Sequence, residues 1–151
     1  MSPNLQIKRI TLVNFQIFEK QVFEFTNGLN IIVGDNNSGK SSLIRAIYWV
    51  YTNKPAGTWM CKFDDEDGIL EASVLIEYTD GTKVSRIRGP KANMYRFNEH
   101  KFEKFGRNGI PQIIEEFLGK VSLPVSKDIV PNIAMQDELP FMVFESGRFR
   151  S

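Results

Sequence analysis
Residues 5 to 13 (LQIKRITLV) alternate loosely between apolar and polar positions, and residues 17 to 25 (IFEKQVFEF) repeat the pattern with aromatic side chains. A strand that buries one face and wets the other has this period of two, so the pattern predicts two strands. The short link Asn14-Phe15-Gln16 predicts a hairpin between them. After a TNG turn at 26 to 28 the pattern changes: residues 29 to 33 (LNIIV) are apolar without alternation, which predicts a strand buried on both faces. From Lys40 to about Tyr51 the positions Leu43, Ala46, Ile47 and Val50 fall at helical spacing, and Ile44, Tyr48 and Trp49 extend the apolar arc almost all round. A helix apolar on nearly every side belongs in the centre of a fold.

Further along, residues 53 to 68 (NKPAGTWMCKFDDEDG) carry a proline, two glycines and an acidic run, and read as a surface excursion in which Trp59, Met60 and Phe63 form either a partner surface or, the favoured reading, a local staple. Strands return at 69 to 78 and 82 to 88, joined across Asp80-Gly81, a strong hairpin signal. A short strand near 93 to 97, a helix near 111 to 119 with Pro111 in its first turn, and a proline-containing loop at 124 to 131 complete the sketch. The fold class expected is α/β, a mixed, antiparallel-rich sheet around one central helix. At 151 residues and 42% hydrophobic content, the chain has length for one domain with a real core.

Charge and cysteine usage narrow the chemistry. Nineteen Lys+Arg against 18 Asp+Glu leave a formal charge of +1, so any nucleic-acid contact has to be local. A single Cys61 excludes an intrachain disulfide, and with the lone His100 it cannot build a zinc site of the usual kind. No apolar run approaches the roughly 18 residues that span a bilayer, and the first residues lack a signal-peptide core, so the setting expected is cytoplasmic and reducing, with no membrane partner.

The segment between the predicted buried strand and the central helix carries the sharpest signal. Gly34-Asp35-Asn36-Asn37-Ser38-Gly39-Lys40-Ser41, followed by Ser42, satisfies G-x-x-x-x-G-K-[ST] at every defined position. Each residue type has a physical reason. Gly34 and Gly39 permit backbone angles and a close approach that a Cβ forbids, so successive amides can turn inward around phosphate oxygens. The helix beginning near Lys40 adds its positive end at the same place. Lys40 would reach the β- and γ-phosphates, and the Ser41 hydroxyl would ligate Mg²⁺. A Gly/Asn turn can match a short pattern by chance, but a strand before, a helix after and a full match favour a nucleoside triphosphate site. A GTPase would need N-K-x-D, and Asn53-Lys54 is followed by Pro55-Ala56, too close to the loop. A nucleotide kinase stays as an alternative without a visible lid.

A strand ending LVNF (12 to 15), a second strand and then GLNIIVGDNNSGKSSLIRAIYWV (28 to 50) resemble the start of SbcC-like ATPases and their relatives in the RecF/SMC group. YTNKPAG (51 to 57), VSRIRGPKANMY (84 to 95) and NIAMQDELPFMVFES (132 to 146) extend the resemblance over most of the chain. It implies an ABC-type ATPase head with ATP and Mg²⁺ as cofactors, and it assigns Gln136 as the Q-loop glutamine that senses Mg²⁺ and the γ-phosphate. It also implies that the present residues form the N-terminal lobe. A C-terminal ATPase lobe would supply the signature motif and Walker B, beyond a coiled coil that Arg148 and Arg150 would begin. The completed head would dimerise head to head and gate an SbcD-like nuclease on double-stranded DNA during repair or recombination, in a bacterial or phage-infected cell.

Several positions depart from that pattern or stay open. Asn37 stands where many members have glycine, and Gln16 where a basic residue usually follows the Asn-Phe pair, which weakens the nucleotide contact expected of Lys8 and Arg9. No LSGG-like motif or Asp-Glu pair is present, and Glu77 and Glu145 read as ordinary strand residues. Arg86 and Arg88 share one strand face near Lys83 and Lys91, placed either to touch DNA phosphates or to form a solvated edge. Two rival readings stand beside the first: a short nucleotide-binding or interaction module without catalysis, and a RecF-like or OLD-type ATPase.

Overall fold
The computed structural model describes residues 5–28, 30–35, 39–105 and 109–119. The two alternating segments form an antiparallel hairpin, β1 (Ile7–Phe15) and β2 (Phe18–Glu24), with Ile10 opposite Phe23 and Leu12 opposite Gln21. Its turn falls at Gln16-Ile17, slightly later than the link predicted, and Asn14 and Gln16 take left-handed φ of 47° and 49°. The central helix α1 spans Lys40–Thr52. It is followed by a two-stranded hairpin, β3 (Phe63–Asp64) with β4 (Gly68–Ile69). The chain then re-enters the main sheet through β5 (Ala72–Tyr78), β6 (Lys83–Arg88), β7 (Asn93–Phe97) and β8 (His100–Phe102), and ends in α2 (Gln112–Gly119).

The main sheet has six antiparallel strands in the order β2-β1-β5-β6-β7-β8. Register follows the period of two. Ile10, Leu12, Val74, Ile76, Val84 and Tyr95 point to one face and are fully buried, and Leu43, Ala46, Trp49 and Val50 of α1 close over them. Side chains of this size contribute about 1.5–3 kcal/mol each on burial, enough to fix the helix to the sheet. The ring of Phe117 on α2 meets Tyr78 at 5.0 Å and Phe97 at 5.4 Å, both nearly edge-on, so α2 packs on the same face. The Asp80-Gly81 signal is realised: Gly81 has φ 88°, and Asp80 Oδ1 accepts the Thr82 amide at 2.8 Å. On the opposite face, a row of charges crosses four strands. Arg9 lies 3.3 Å from Glu24 and 3.5 Å from Glu77, and Lys83 lies 3.6 Å from Glu77.

Four expectations are corrected. Of the strand expected at 29 to 33, residue 29 lies outside the described residues and 30–33 are not a doubly buried strand: among the described residues no strand pairs with 30–35, and Ile31 and Val33 are 76% and 84% exposed. An unbroken apolar run signals that cover is required on both sides, and the antiparallel sheet provides none there. The strand expected at 69–78 is split, because Leu70 N donates to Lys62 O and holds the chain in the excursion before β5 begins. The staple is only partly formed. Met60 packs against the core, whereas Trp59 and Phe63 are exposed.

The fourth correction concerns Arg86, which is buried and cannot touch DNA. Its guanidinium sits over the rings of Tyr95, Trp49 and Phe105 at 4.9, 5.2 and 5.4 Å. It donates to Asn53 Oδ1 (2.9 Å), Ile87 O (2.7 Å), Met94 O (3.1 Å) and Asn93 Oδ1 (2.6 Å). Burial pulls its pKa below the usual arginine value, but the rings and oxygens favour the cation. Arg86 and the half-buried Arg88 share one face of β6; the difference is the register partner, since Arg86 faces Tyr95 whereas Arg88 faces Asn93 at the strand end. Gln136, Glu145, Arg148, Arg150 and the loop at 124–131 lie outside the described residues.

Arg86→Ala is expected to lower the unfolding free energy by about 3 kcal/mol, because buried acceptors lose their donor, whereas Arg88→Ala changes it by about 0.5 kcal/mol or less. Urea unfolding followed by near-UV circular dichroism measures both, and equal losses would contradict the aromatic cage.

Candidate functional site
The site is built at the N-terminal end of α1. Gly39 caps the helix with φ 88°, a conformation that L side chains avoid, and accepts the amide of Leu43 through its carbonyl at 3.2 Å. No side chain caps this end and no acidic residue occupies the first turn. An uncapped first turn leaves amide donors for an external acceptor, and the helix dipole favours an anion there. Lys40 bends back across the loop, and its ammonium donates to the carbonyl of Gly34 and, at 2.7 Å, to that of Asp35. The two ends of the loop are thereby tied to one cation. Ser41 is exposed, while Ser42, one position round the helix, is buried.

The seat of Gly39 has a second constraint that sequence reasoning missed. A Cβ on Gly39 would collide with the Phe18 ring, standing 2.8 Å from Phe18 Cε2 and 3.1 Å from Ile17 Cδ1. The turn of the β1–β2 hairpin therefore lies directly on the loop, and a side chain at position 39 would have to displace the Phe18 ring as well as adopt a strained φ. An apolar Ile17-Phe18 pair at a hairpin turn, where polar residues are usual, was the available signal. Gln16 supports the same turn, donating its amide to Met60 O at 2.9 Å and its Nε2 to Met60 Sδ at 3.4 Å.

Of the sequence-predicted site residues, the structure brings together Gly34, Asp35, Gly39, Lys40, Ser41 and Ser42 around the loop; Asn36, Asn37, Ser38 and Gln136 lie outside the described residues. The donor set fits a triphosphate with a hard divalent cation: an ammonium, amides at an uncapped helix start, and an exposed hydroxyl one residue into the helix. Arg9 is engaged by Glu24 and Glu77 on the far face of the sheet rather than turned to the loop. Glu77 is held between Arg9 and Lys83 as a sheet residue.

The far end of α1 is tied as firmly as the near end is open. Tyr95 donates its hydroxyl to Val50 O at 3.0 Å and Trp49 O at 3.4 Å; burial pushes its pKa well above the usual phenol value, so it stays a neutral donor. Asn53, left-handed at φ 55°, returns its amide to Trp49 O at 2.8 Å and donates Nδ2 to Gly109 O at 2.8 Å. Buried Tyr51 and Tyr78 hydroxyls meet at 3.0 Å beside this end.

Comparison with known proteins agrees with this geometry. RecF, the DNA replication and repair protein of Tropheryma whipplei, is 36% identical over 86 residues, 52% of this chain and 22% of the relative. The DNA double-strand break repair Rad50 ATPase of Pyrococcus abyssi is 43% identical over 49 residues, 30% of this chain and 6% of the relative. The chain thus spans about a fifth or less of the length of these curated relatives. Among solved structures, an SMC ATPase described for ATP-driven dimerisation and DNA-stimulated activation superposes with TM-score 0.64 at 22% identity, covering 86% of both chains. The recombination mediator RecF with ATP superposes with TM-score 0.57 at 26% identity, over 69% of this chain and 29% of that one. No helix among the described residues is long and apolar enough to cross a membrane. A family model described as an AAA domain matches residues 9–148, and the chain belongs to that family, as an N-terminal ABC-type ATPase lobe with the P-loop NTPase fold.

Proposed function
We propose that this lobe binds the triphosphate of ATP together with Mg²⁺ and serves a DNA repair or recombination ATPase. The observation that carries the reading is Lys40 folded into the Gly34–Ser41 loop at an uncapped helix start. An entering γ-phosphate exchanges neutral carbonyls for anionic oxygens around the ammonium, a stronger pairing. The amides from Gly39 onward would take up the remaining charge, and the exposed Ser41 would offer its hydroxyl to Mg²⁺. The cation supplies charge neutralisation between the phosphates. Asp35, Asn36, Asn37, Ser38 and Ser42 belong to the loop and its first turn, and Gln136 is assigned by resemblance to the γ-phosphate side.

Hydrolysis on this reading needs a C-terminal lobe carrying the signature motif and Walker B, and head-to-head dimerisation. The finer role is the gating of an SbcD-like nuclease on double-stranded DNA ends, supported by the likeness to Rad50. A RecF-like role is supported equally well by the likeness to RecF relatives and to a RecF structure. Of the two arginines first considered for DNA, Arg88 alone keeps a partly exposed side chain.

Lys40→Ala is expected to weaken ATP binding by roughly 100-fold, about 3 kcal/mol of charge-assisted contact; unchanged affinity in an isothermal titration would refute the site. Ser41→Ala should leave metal-free nucleotide affinity within about twofold while removing most of the gain conferred by Mg²⁺, read from titrations with and without the cation. In a head completed by its C-terminal lobe, Gln136→Ala should preserve ATP affinity and slow phosphate release at least about tenfold, as loss of a transition-state contact does. Equal turnover would remove Gln136 from the site.

A further inference from the structure
The excursion after α1 carries a second surface, unrelated to the loop chemistry. Trp59 is 81% and Phe63 65% exposed, although the chain buries Trp49 and Tyr95 completely. Phe63 pairs in register with Ile69 across the β3–β4 hairpin, so both side chains stand on one side of the ribbon about 5 Å apart. Trp59 sits on the turn leading into this ribbon, where Cys61 N donates to Thr58 O at 2.9 Å. Three large apolar side chains exposed within one short excursion mark a candidate contact surface.

The patch is held rigidly. Lys62 N donates to Asn14 O at 2.8 Å, Cys61 bridges Phe15 in the sheet, and Lys62 Nζ meets Glu19 at 3.0 Å. At the tip, Asp64 accepts the amides of Glu66 at 2.8 Å and Asp67 at 3.0 Å, which shapes the turn. Those amides, Asp67 first, hold the Asp64 carboxyl below the usual range and keep it ionised. The turn that joins β3 to β4, next to Phe63 and Ile69 in the chain, carries a run of four acidic residues, Asp64 to Asp67. Such a run repels a phosphate backbone and attracts lysine and arginine. The apolar members supply rigid anchoring area of the kind that dominates binding energy.

We infer that Trp59, Phe63 and Ile69, with the Asp65-Glu66-Asp67 run, form a docking site for a protein segment in which an apolar anchor is flanked by basic residues. The site does not depend on nucleotide, and neither does its test. The probe is a 16-residue peptide of Lys and Leu in amphipathic order, titrated into the 151-residue chain at low salt, with acrylamide quenching of Trp59 as readout; Trp49 is buried and contributes little quenching. Expected is protection of Trp59 with a Kd of about 10 μM, weakened at least about fivefold by physiological salt. Phe63→Ser, and separately Asp65→Asn with Glu66→Gln and Asp67→Asn, should each weaken binding at least about fivefold, with circular dichroism unchanged. The proposal is overturned by no protection, by equal protection from a Glu/Leu peptide or a DNA duplex, or by peptide binding that neither variant alters. Concentration-dependent protection without peptide would assign the face to a second copy of the chain and overturn it as well.

Discussion
The position of helix α1 decides what the phosphate loop can do, and that position is set at the helix end remote from the loop. Carbonyls in the last turn of a helix lack internal partners. Here Trp49 O and Val50 O receive the Tyr95 hydroxyl, and Trp49 O also receives the Asn53 amide. Arg86 stacks on the Trp49 ring and hydrogen-bonds the Asn53 side chain, so a buried cation stands at the negative end of the helix dipole. About 15 Å separates this lock from Lys40 along the axis. A helix pinned at its C-terminal end and along its buried stripe directs its open N-terminal end at one place. The stripe alone would permit rotation and sliding, because dispersion is not directional.

A second constraint acts at the loop itself. Phe18 and Ile17 lie against Gly39, so the β1–β2 turn forms a wall of the phosphate loop, and the same turn is held from outside by Met60. The chain order makes this possible: the hairpin precedes the loop, the excursion follows the helix, and the excursion meets the hairpin at Asn14, Phe15 and Gln16. Lys40, drawn to Gly34 and Asp35 carbonyls, closes the loop with neutral acceptors. A phosphate competing for that ammonium would meet a helix start and a hairpin turn already in place, which lowers the ordering cost of binding.

Much of this was legible from residue order. Alternation located β1, β2, β6 and β7 closely, helical spacing located α1 to within a residue, and Asp80-Gly81 located a turn, because each is a local signal with a local cause. The junction of loop and helix was readable for the same reason: Gly39 takes the left-handed φ that a glycine permits, and α1 begins at Lys40. Arg86 was misjudged because its burial depends on three rings from separate elements, Trp49, Tyr95 and Phe105, which one strand's pattern does not disclose. Phe18 on Gly39 escaped notice for the same reason: it is a contact across 21 residues that only the folded sheet creates. Phe63 and Trp59 were assigned to a staple on composition, which carries no information about which side of a ribbon faces water.

The run Ile31-Ile32-Val33 is the instructive disagreement. Its composition demands cover on both faces, and the described sheet gives it none, with Val33 84% exposed immediately before the phosphate loop. Burying three such side chains is worth several kcal/mol, on the order of 25 cal/mol per Å² of apolar surface. Those side chains stand on the same continuous backbone as Gly34 and Asp35, whose carbonyls accept from the Lys40 ammonium, so the stretch that the apolar pattern marks for cover leads directly into the loop that Lys40 closes.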